Sequence, residues 1–279
     1  MVNKTLPGLA LFKTSIVHLA TLAALSAVST AAMACEDLRM MAGGTVVQVT
    51  DGDTVVLDDG TIVRMIGTQA PKLPLGREGF DTWPLAPEAK TELEAMVLNK
   101  PVRLGYGGER VDRYGRALAH VFVDAPGGEI WAQQQMVAKG LARVYSVPDN
   151  RKCLELLFAA EGRARAGGLG IWADPYYSVR AADNPDDVLK RQGHYELVEG
   201  RVMLADQRSG RVYLNFGRFW KEDFTGVIEA PALKLFAQLQ LDPMTLEGAL
   251  VRIRGWVDDR DGPRIEITHP EQIEVLATR

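Results

Sequence analysis

Short alternating runs of hydrophobic and polar residues dominate the first half of the chain and predict β-strands joined by tight turns. The predicted strands are residues 44–50, 54–57, 61–67, 101–106 and 116–123. The dipeptide Asp51-Gly52 between the first two strands is typical of hairpins. Three consecutive short strands on tight turns indicate a β-meander, which is the usual beginning of a small barrel.

Apolar residues recur at helical spacing in three segments of the same half. We predict helices at residues 88–98, 128–139 and 154–165, of which the second ends at Gly140. Between the meander and the first helix, residues 70–87 hold Pro71, Pro74, Pro84 and Pro87 and show no regular period. Irregular stretches of this length are usually functional or mobile.

The second half of the chain repeats the strand-rich pattern. Its predicted strands are residues 195–205, 212–216, 224–228, 250–257, 264–268 and 273–276. One predicted helix, residues 231–239, lies between the third and fourth strands, which is the element order of an OB-type barrel. We therefore expect a β-barrel domain with helices over residues 35–178, a linker over 179–193 and a second, OB-like β domain over 194–279.

Residues 1–34 have the features of an export signal. Lys4 and Lys13 form a basic n-region, an uncharged Ala- and Leu-rich segment follows, and Ala32-Met33-Ala34 is a small-x-small cleavage site. We expect cleavage there and a periplasmic or secreted mature protein. A retained membrane anchor and a lipid-modified Cys35 are the alternatives. In an exported protein the two cysteines, Cys35 and Cys153, indicate a disulfide, the alternative being an unpaired Cys153 buried on a helix.

The composition is ordinary for a soluble globular protein, with 279 residues of which 47% are hydrophobic and 24% charged. The net charge of −4 argues against the broad basic surface of proteins that bind nucleic acid tightly and nonspecifically. Any phosphate site must therefore be a local basic pocket on an acidic body.

One stretch carries the chemistry of such a pocket. It consists of Asp51-Gly52-Asp53-Thr54 at a turn, Arg64 on a following strand, and Asp112-Arg113-Tyr114-Gly115-Arg116 at a later turn. A carboxylate in an acidic turn can hold a divalent cation, and arginines delivered by strands can clamp phosphate oxygens in bidentate fashion. These residues therefore point to a phosphodiester site.

Together with Pro71 and the segments 140–144 and 170–172, these motifs resemble the staphylococcal nuclease (thermonuclease) family over about residues 42–175. The resemblance implies a five-stranded OB barrel with three helices, a Ca²⁺ cofactor, and cleavage of DNA and RNA.

The same resemblance implies roles for individual residues. Asp53 would be a metal ligand, the carbonyl of Ala70 a further ligand, and Arg64 and Arg116 the catalytic, phosphate-binding arginines. Tyr145 lies beyond the matching motifs; it either stacks on a base or sugar of the substrate or is a rim aromatic without that role.

Two positions depart from the family pattern. Gln69 stands where a second Asp ligand is implied, and Lys72 stands where the Glu that orients the attacking water is implied. The first change removes a negative charge and the second reverses one, so we expect weakened metal binding. Lys72 could clamp phosphate instead, and Glu78 or Asp81 in the following loop could replace the lost carboxylate.

Two functions therefore remain open. The first is an exported phosphodiesterase that cuts DNA or RNA through a rearranged site. The second is a non-catalytic module on a degenerate nuclease barrel that binds nucleic acid, another polyanion or a protein.

The second half holds another candidate binding surface. Arg252, Arg254 and Trp256 alternate there with apolar residues along one predicted strand. Such a face on an OB barrel can bind single strands. Because several aspartates follow closely, we expect instead a solvated face on which Trp256 covers a neighbouring residue.

Overall fold

The first half of the chain folds into a closed barrel whose strands follow the alternating pattern. The computed structural model describes Met1, Cys35, residues 37–219 and residues 221–278, so the predicted export signal lies outside the described residues. The strands of this half are β1 (Arg39–Asp51), β2 (Thr54–Leu57), β3 (Ile62–Met65), β4 (Gly67–Gln69), β5 (Pro101–Tyr106), β6 (Ala117–Ala125), β7 (Gly128–Trp131) and β8 (Arg143–Tyr145). Its helices are α1 (Ala86–Val97), α2 (Ala132–Ala138) and α3 (Leu154–Ala166).

Barrel closure comes from one parallel pairing. Strands β3, β2, β1, β5 and β6 follow one another antiparallel, and β3 then pairs parallel with β6 to complete a five-stranded ring. Alternate residues of these strands, such as Val55, Leu57, Val63 and Met65, are buried in the barrel core beneath the three helices. The predicted OB barrel with three helices is confirmed.

One helix prediction in this half is wrong at its beginning. Residues 128–131, predicted as the first turn of a helix, form β7 and pair with the end of β6. Burial increases along this strand towards Trp131, which stacks on Phe122 with ring centroids 6.1 Å apart. Packing of this indole against the barrel outweighs helical propensity, and α2 begins only at Ala132.

The second half forms a second β domain. Its elements are β9 (Arg180–Ala181), α4 (Pro185–Leu189), β10 (Tyr195–Arg201), β11 (Leu204–Arg208), β12 (Arg211–Asn215), β13 (Thr225–Ile228), α5 (Ala230–Gln238), β14 (Leu250–Asp259), β15 (Pro263–Ile267) and β16 (Ile273–Ala277). As in the first barrel, one parallel pairing, β13 with β15, joins antiparallel neighbours. The predicted second β domain is confirmed.

The segment 179–193, expected as a linker, has regular structure. β9 pairs parallel with β10, and α4 is capped by Asn184, whose side chain accepts a hydrogen bond from the amide of Asp187. Val188 of α4 is fully buried in the second core. This segment therefore packs on the second domain rather than spanning solvent.

In the part of the chain that the structure describes, no helix has the length and apolar content needed to cross a bilayer.

The predicted solvated face on β14 is the junction between the two domains. Arg254 is 1% exposed and contacts Glu161 of α3 at 2.9 Å and Glu274 of β16 at 3.0 Å. Arg252 is held by Glu199 and Glu274. The expectation of a solvated face was wrong because α3 presents the buried carboxylate of Glu161 to this strand.

A disulfide joins Cys35 to Cys153.

Candidate functional site

The acidic turn between β1 and β2 is packed tightly into the barrel. A Cβ at Gly52 would lie 2.6 Å from the Cβ of Ala70 and 2.8 Å from that of Ala89, so only glycine fits beneath α1. This packing buries Asp53 completely. One carboxylate oxygen of Asp53 accepts a hydrogen bond from the amide of Ala70 at 2.8 Å.

The side chain of Lys72 reaches back over this turn. Its Nζ lies 2.7 and 2.6 Å from the two carboxylate oxygens of Asp53 and 3.1 Å from Oδ2 of Asp51. Burial works against ionisation of Asp53, but Arg64 and Lys72 outweigh it and hold the pKa of that carboxyl well below its usual range. Burial, reinforced by the charge of Asp53, raises the pKa of Asp51. Lys72 is therefore the counter-ion that Asp51 and Asp53 share, and Arg64 is a second counter-ion of Asp53 at 3.4 Å.

These residues do not fit a calcium ion. Ca²⁺ requires six to eight oxygen ligands at about 2.3–2.6 Å, and the ammonium group of Lys72 already lies at about that distance from Asp53. Among the described residues there is no group of three or more His, Cys, Asp or Glu side chains arranged to hold a metal. The ammonium group of Lys72 thus binds the carboxylate oxygens of Asp53 that were expected to hold a metal ion.

The side chain of Gln69 also binds a cationic residue, Arg143. Its Oε1 accepts a hydrogen bond from Nε of Arg143 at 2.9 Å, and both side chains are buried. The guanidinium carbon of Arg143 lies 5.2 Å from the ring centroid of Tyr195 in the second domain. The neutral amide therefore serves an internal hydrogen bond at the domain junction.

The two arginines of the motif have different surroundings. Arg64 donates to the backbone carbonyls of Met65 and Thr68, and its side chain is 13% exposed beside Asp53. Arg116 binds Asp112 through Nε at 2.8 Å and Nη2 at 2.7 Å, and its side chain is 34% exposed. Of the two, Arg116 is the guanidinium that faces solvent.

A cleft of about 800 Å³ lies over these residues and between the two domains. It brings together Arg64, Gln69, Lys72 and Arg116 from the motif region with Tyr145, while Asp53 lies buried directly beneath. Tyr145 is half-buried and packs edge-on against Tyr195, with ring centroids 4.9 Å apart.

Sequence reasoning missed several residues of this cleft. They are Arg77, Phe80, Trp83, Tyr176, His194 and Trp256. The first three lie in the proline-rich stretch 70–87. The length of this stretch indicated a functional loop but did not identify these three residues. Tyr176, His194 and Trp256 come from segments that only the domain packing brings to the cleft. For Trp256, the sequence predicted a position on a solvated face of β14 and not in this cleft.

Comparison with known proteins agrees with this geometry. Residues 62–174 match the family model described as "Staphylococcal nuclease homologue". The chain is 32% identical to a thermonuclease of Staphylococcus hyicus over 132 residues, which is 46% of this chain and 75% of that protein. It is 33% identical to a thermonuclease of Staphylococcus intermedius over 128 residues, covering 45% and 73% of the two chains. It is 29% identical to endonuclease YncB of Bacillus subtilis over 145 residues, covering 50% and 66%.

The barrel closure, the acidic turn beneath α1, the arginines of β3 and of the turn before β6, and these similarities agree with one another. The chain belongs to the staphylococcal nuclease family.

Proposed function

We propose that this family member binds nucleic acid through its phosphates in the cleft, without a divalent cation, and does not cleave it by a calcium-dependent reaction. The observation that carries this proposal is the position of Lys72, whose ammonium group bridges Asp51 and Asp53 at 2.6–3.1 Å. The similar proteins named thermonuclease and endonuclease support nucleic acid as the ligand class.

Charge compensation explains why binding can persist without metal. Without a cation, the buried carboxylates of Asp51 and Asp53 would repel a phosphodiester. Lys72 and Arg64 together balance the two carboxylates. The solvent-facing guanidinium groups of Arg116 and Arg77 line the same cleft and can donate to phosphate oxygens. The cleft is thus the local basic pocket that an acidic protein needs.

Catalysis requires more than this compensation. A divalent cation activates water and stabilises developing charge through open coordination positions. An ammonium group has no such positions and only donates hydrogen bonds. Lys72 therefore supports binding but not the family's metal-assisted attack.

Export is part of the proposal. The predicted signal at residues 1–34 and the disulfide between Cys35 and Cys153 support an oxidising compartment, periplasmic or extracellular. In such a compartment the protein would meet nucleic acid released from cells.

The test is fluorescence anisotropy with labelled DNA and RNA strands of about 12 nucleotides, within the range of OB-fold site sizes. We expect equal affinity in EDTA and in Ca²⁺, and intact strands by gel electrophoresis in both. Arg116→Ala should weaken binding and reduce the salt dependence by about one phosphate contact. Arg211→Ala, an exposed arginine on β12 outside the cleft, is the matched control and should bind like the wild type.

Three results would overturn the proposal. The first is binding that disappears in EDTA, and the second is wild-type affinity in Arg116→Ala. The third is Ca²⁺-dependent cleavage that is lost in Arg116→Ala, which would restore the nuclease interpretation. Asp81→Asn would then test whether the carboxylate that lines the cleft replaces the missing acid.

A further inference from the structure

Aromatic rings line the same cleft as the phosphate-binding residues. Four of these rings form an aromatic wall: Trp83, Tyr176, His194 and Trp256. Trp83 lies 6.0 Å from His194 and 5.9 Å from Tyr176 between ring centroids. Trp256 lies 6.4 Å from Tyr145. Two members of the wall, His194 and Trp256, come from the second β domain.

The wall is not explained as filling of the domain junction. On this face of β14, Arg254 is buried against Glu161 of α3 and Arg252 against Glu199 and Glu274. Burial on this face ends at Trp256, whose residue surface is 48% exposed. Trp83, Tyr176 and His194 are only half-buried. A junction that needed apolar filling would enclose these rings, whereas here they share an open cleft with the cations.

A cationic group adjoins the rings of the cleft. The guanidinium carbon of Arg77 lies 3.7 Å from the ring centroid of Phe80, and that ring stacks on Trp83 with centroids 6.1 Å apart. Grooves that bind single strands combine such cations for the backbone with aromatic faces on which successive bases stack. A cleft of about 800 Å³ has the size of a small-ligand pocket and accommodates a few splayed nucleotides rather than a duplex.

We propose that the aromatic wall is a base-stacking subsite, so that the second domain completes the nucleic-acid site and the ligand is a strand with unpaired bases. This inference rests on the proposed function, because the phosphates of the same strand would lie against Arg116 and Arg77. Unpaired bases expose both faces to aromatic side chains, whereas paired bases in a duplex are already stacked.

The experiment compares two probes with identical backbones and charge: a labelled DNA strand of about 12 nucleotides and the same strand with its central bases replaced by abasic sites. We expect the wild-type protein to bind the base-bearing strand about tenfold more tightly for each base that stacks. Trp256→Ala and His194→Gln should each reduce this preference and leave the affinity for the abasic strand unchanged. Phe219→Ala is the matched control, an exposed aromatic of the second domain outside the cleft, and should keep the full preference.

Two variants are used because either alone could perturb folding, and circular dichroism checks each. Equal preference for bases in the wild type, Trp256→Ala and His194→Gln would overturn the inference. If Arg116→Ala still weakened binding of both strands in that case, the proposed function would stand without the subsite. Failure of the wild type to bind either strand would overturn both.

Discussion

Replacement of Lys72 by glutamate tests the assignment of its ammonium group as the built-in cation. In Lys72→Glu, a third carboxylate joins Asp51 and Asp53, and their common counter-ion is lost. Breaking a buried ion pair costs about 3–5 kcal/mol. Because Asp53 is fully buried but the Lys72 side chain is 20% exposed, we expect the lower end, about 3 kcal/mol.

The same substitution should create a calcium response. A ligand at 100 times its dissociation constant stabilises the folded state by about 2.7 kcal/mol, so Ca²⁺ should recover most of the loss. For a chain of this size each kcal/mol shifts the Tm by about 2–4 °C. We therefore expect the variant to lose about 6–12 °C in EDTA and to regain about 5–11 °C in Ca²⁺. The wild-type Tm should not respond to Ca²⁺.

Differential scanning fluorimetry in EDTA, in Ca²⁺ and in NaCl of matched ionic strength measures these shifts. Lys139→Glu makes the same charge change at an exposed ion pair with Glu92 and should show no calcium response. Adding Gln69→Asp should contribute little, because Nε of Arg143 lies 2.9 Å from the side chain that is replaced and would pair with the new carboxylate. A calcium-specific rise of the wild-type Tm, or no response in Lys72→Glu, would refute the reasoning.

Three further predictions concern stability. Arg254→Met leaves the carboxylate of Glu161 buried at the domain junction and should cost about 3–5 kcal/mol in urea unfolding. Arg211→Met removes an exposed pair and should cost clearly less. Cys153→Ser opens a loop with a sequence separation of 118 residues and should lower the free energy of unfolding by about 4–5 kcal/mol, with mass spectrometry reporting no free thiol in the oxidised parent. Burial, reinforced by Arg151 and Arg254, lowers the pKa of His269 to about 4, below the value of about 6.5 in an unfolded chain. Between pH 6.5 and 4 the unfolded state therefore binds a proton that the folded state does not, and stability should fall as the pH falls.

Each of these predictions has a contradicting result. Equal losses in Arg254→Met and Arg211→Met would mean that the junction is solvated. Two free thiols in the protein purified under oxidising conditions would contradict the disulfide. For the histidine, the wild type and His269→Gln should differ in the slope of stability against pH below 6.5, and identical slopes would show that the imidazole titrates alike in both states.

Much of the fold was predictable because the signals are local. Alternation with a period of two gave the strands of both domains, and the turn dipeptide at Asp51-Gly52 placed the first hairpin. The same local reasoning failed at residues 128–131, where stacking of Trp131 on Phe122 decides between strand and helix. That contact joins two strands and has no signature in the sequence period.

The sequence by itself determined the family and the candidate site residues Asp53, Arg64, Lys72 and Arg116, because these follow from short motifs. It also determined the two β-rich halves, because these follow from backbone preferences. Only the tertiary structure decided which cation meets which carboxylate. Lys72 meets Asp53 across 19 positions, and Arg254 meets Glu161 across 93. Burial also turned a predicted solvated face into the domain junction and brought Trp256 to the cleft. The physical reason is that the interaction of charges and rings depends on distance and desolvation in space, which separation along the chain does not specify.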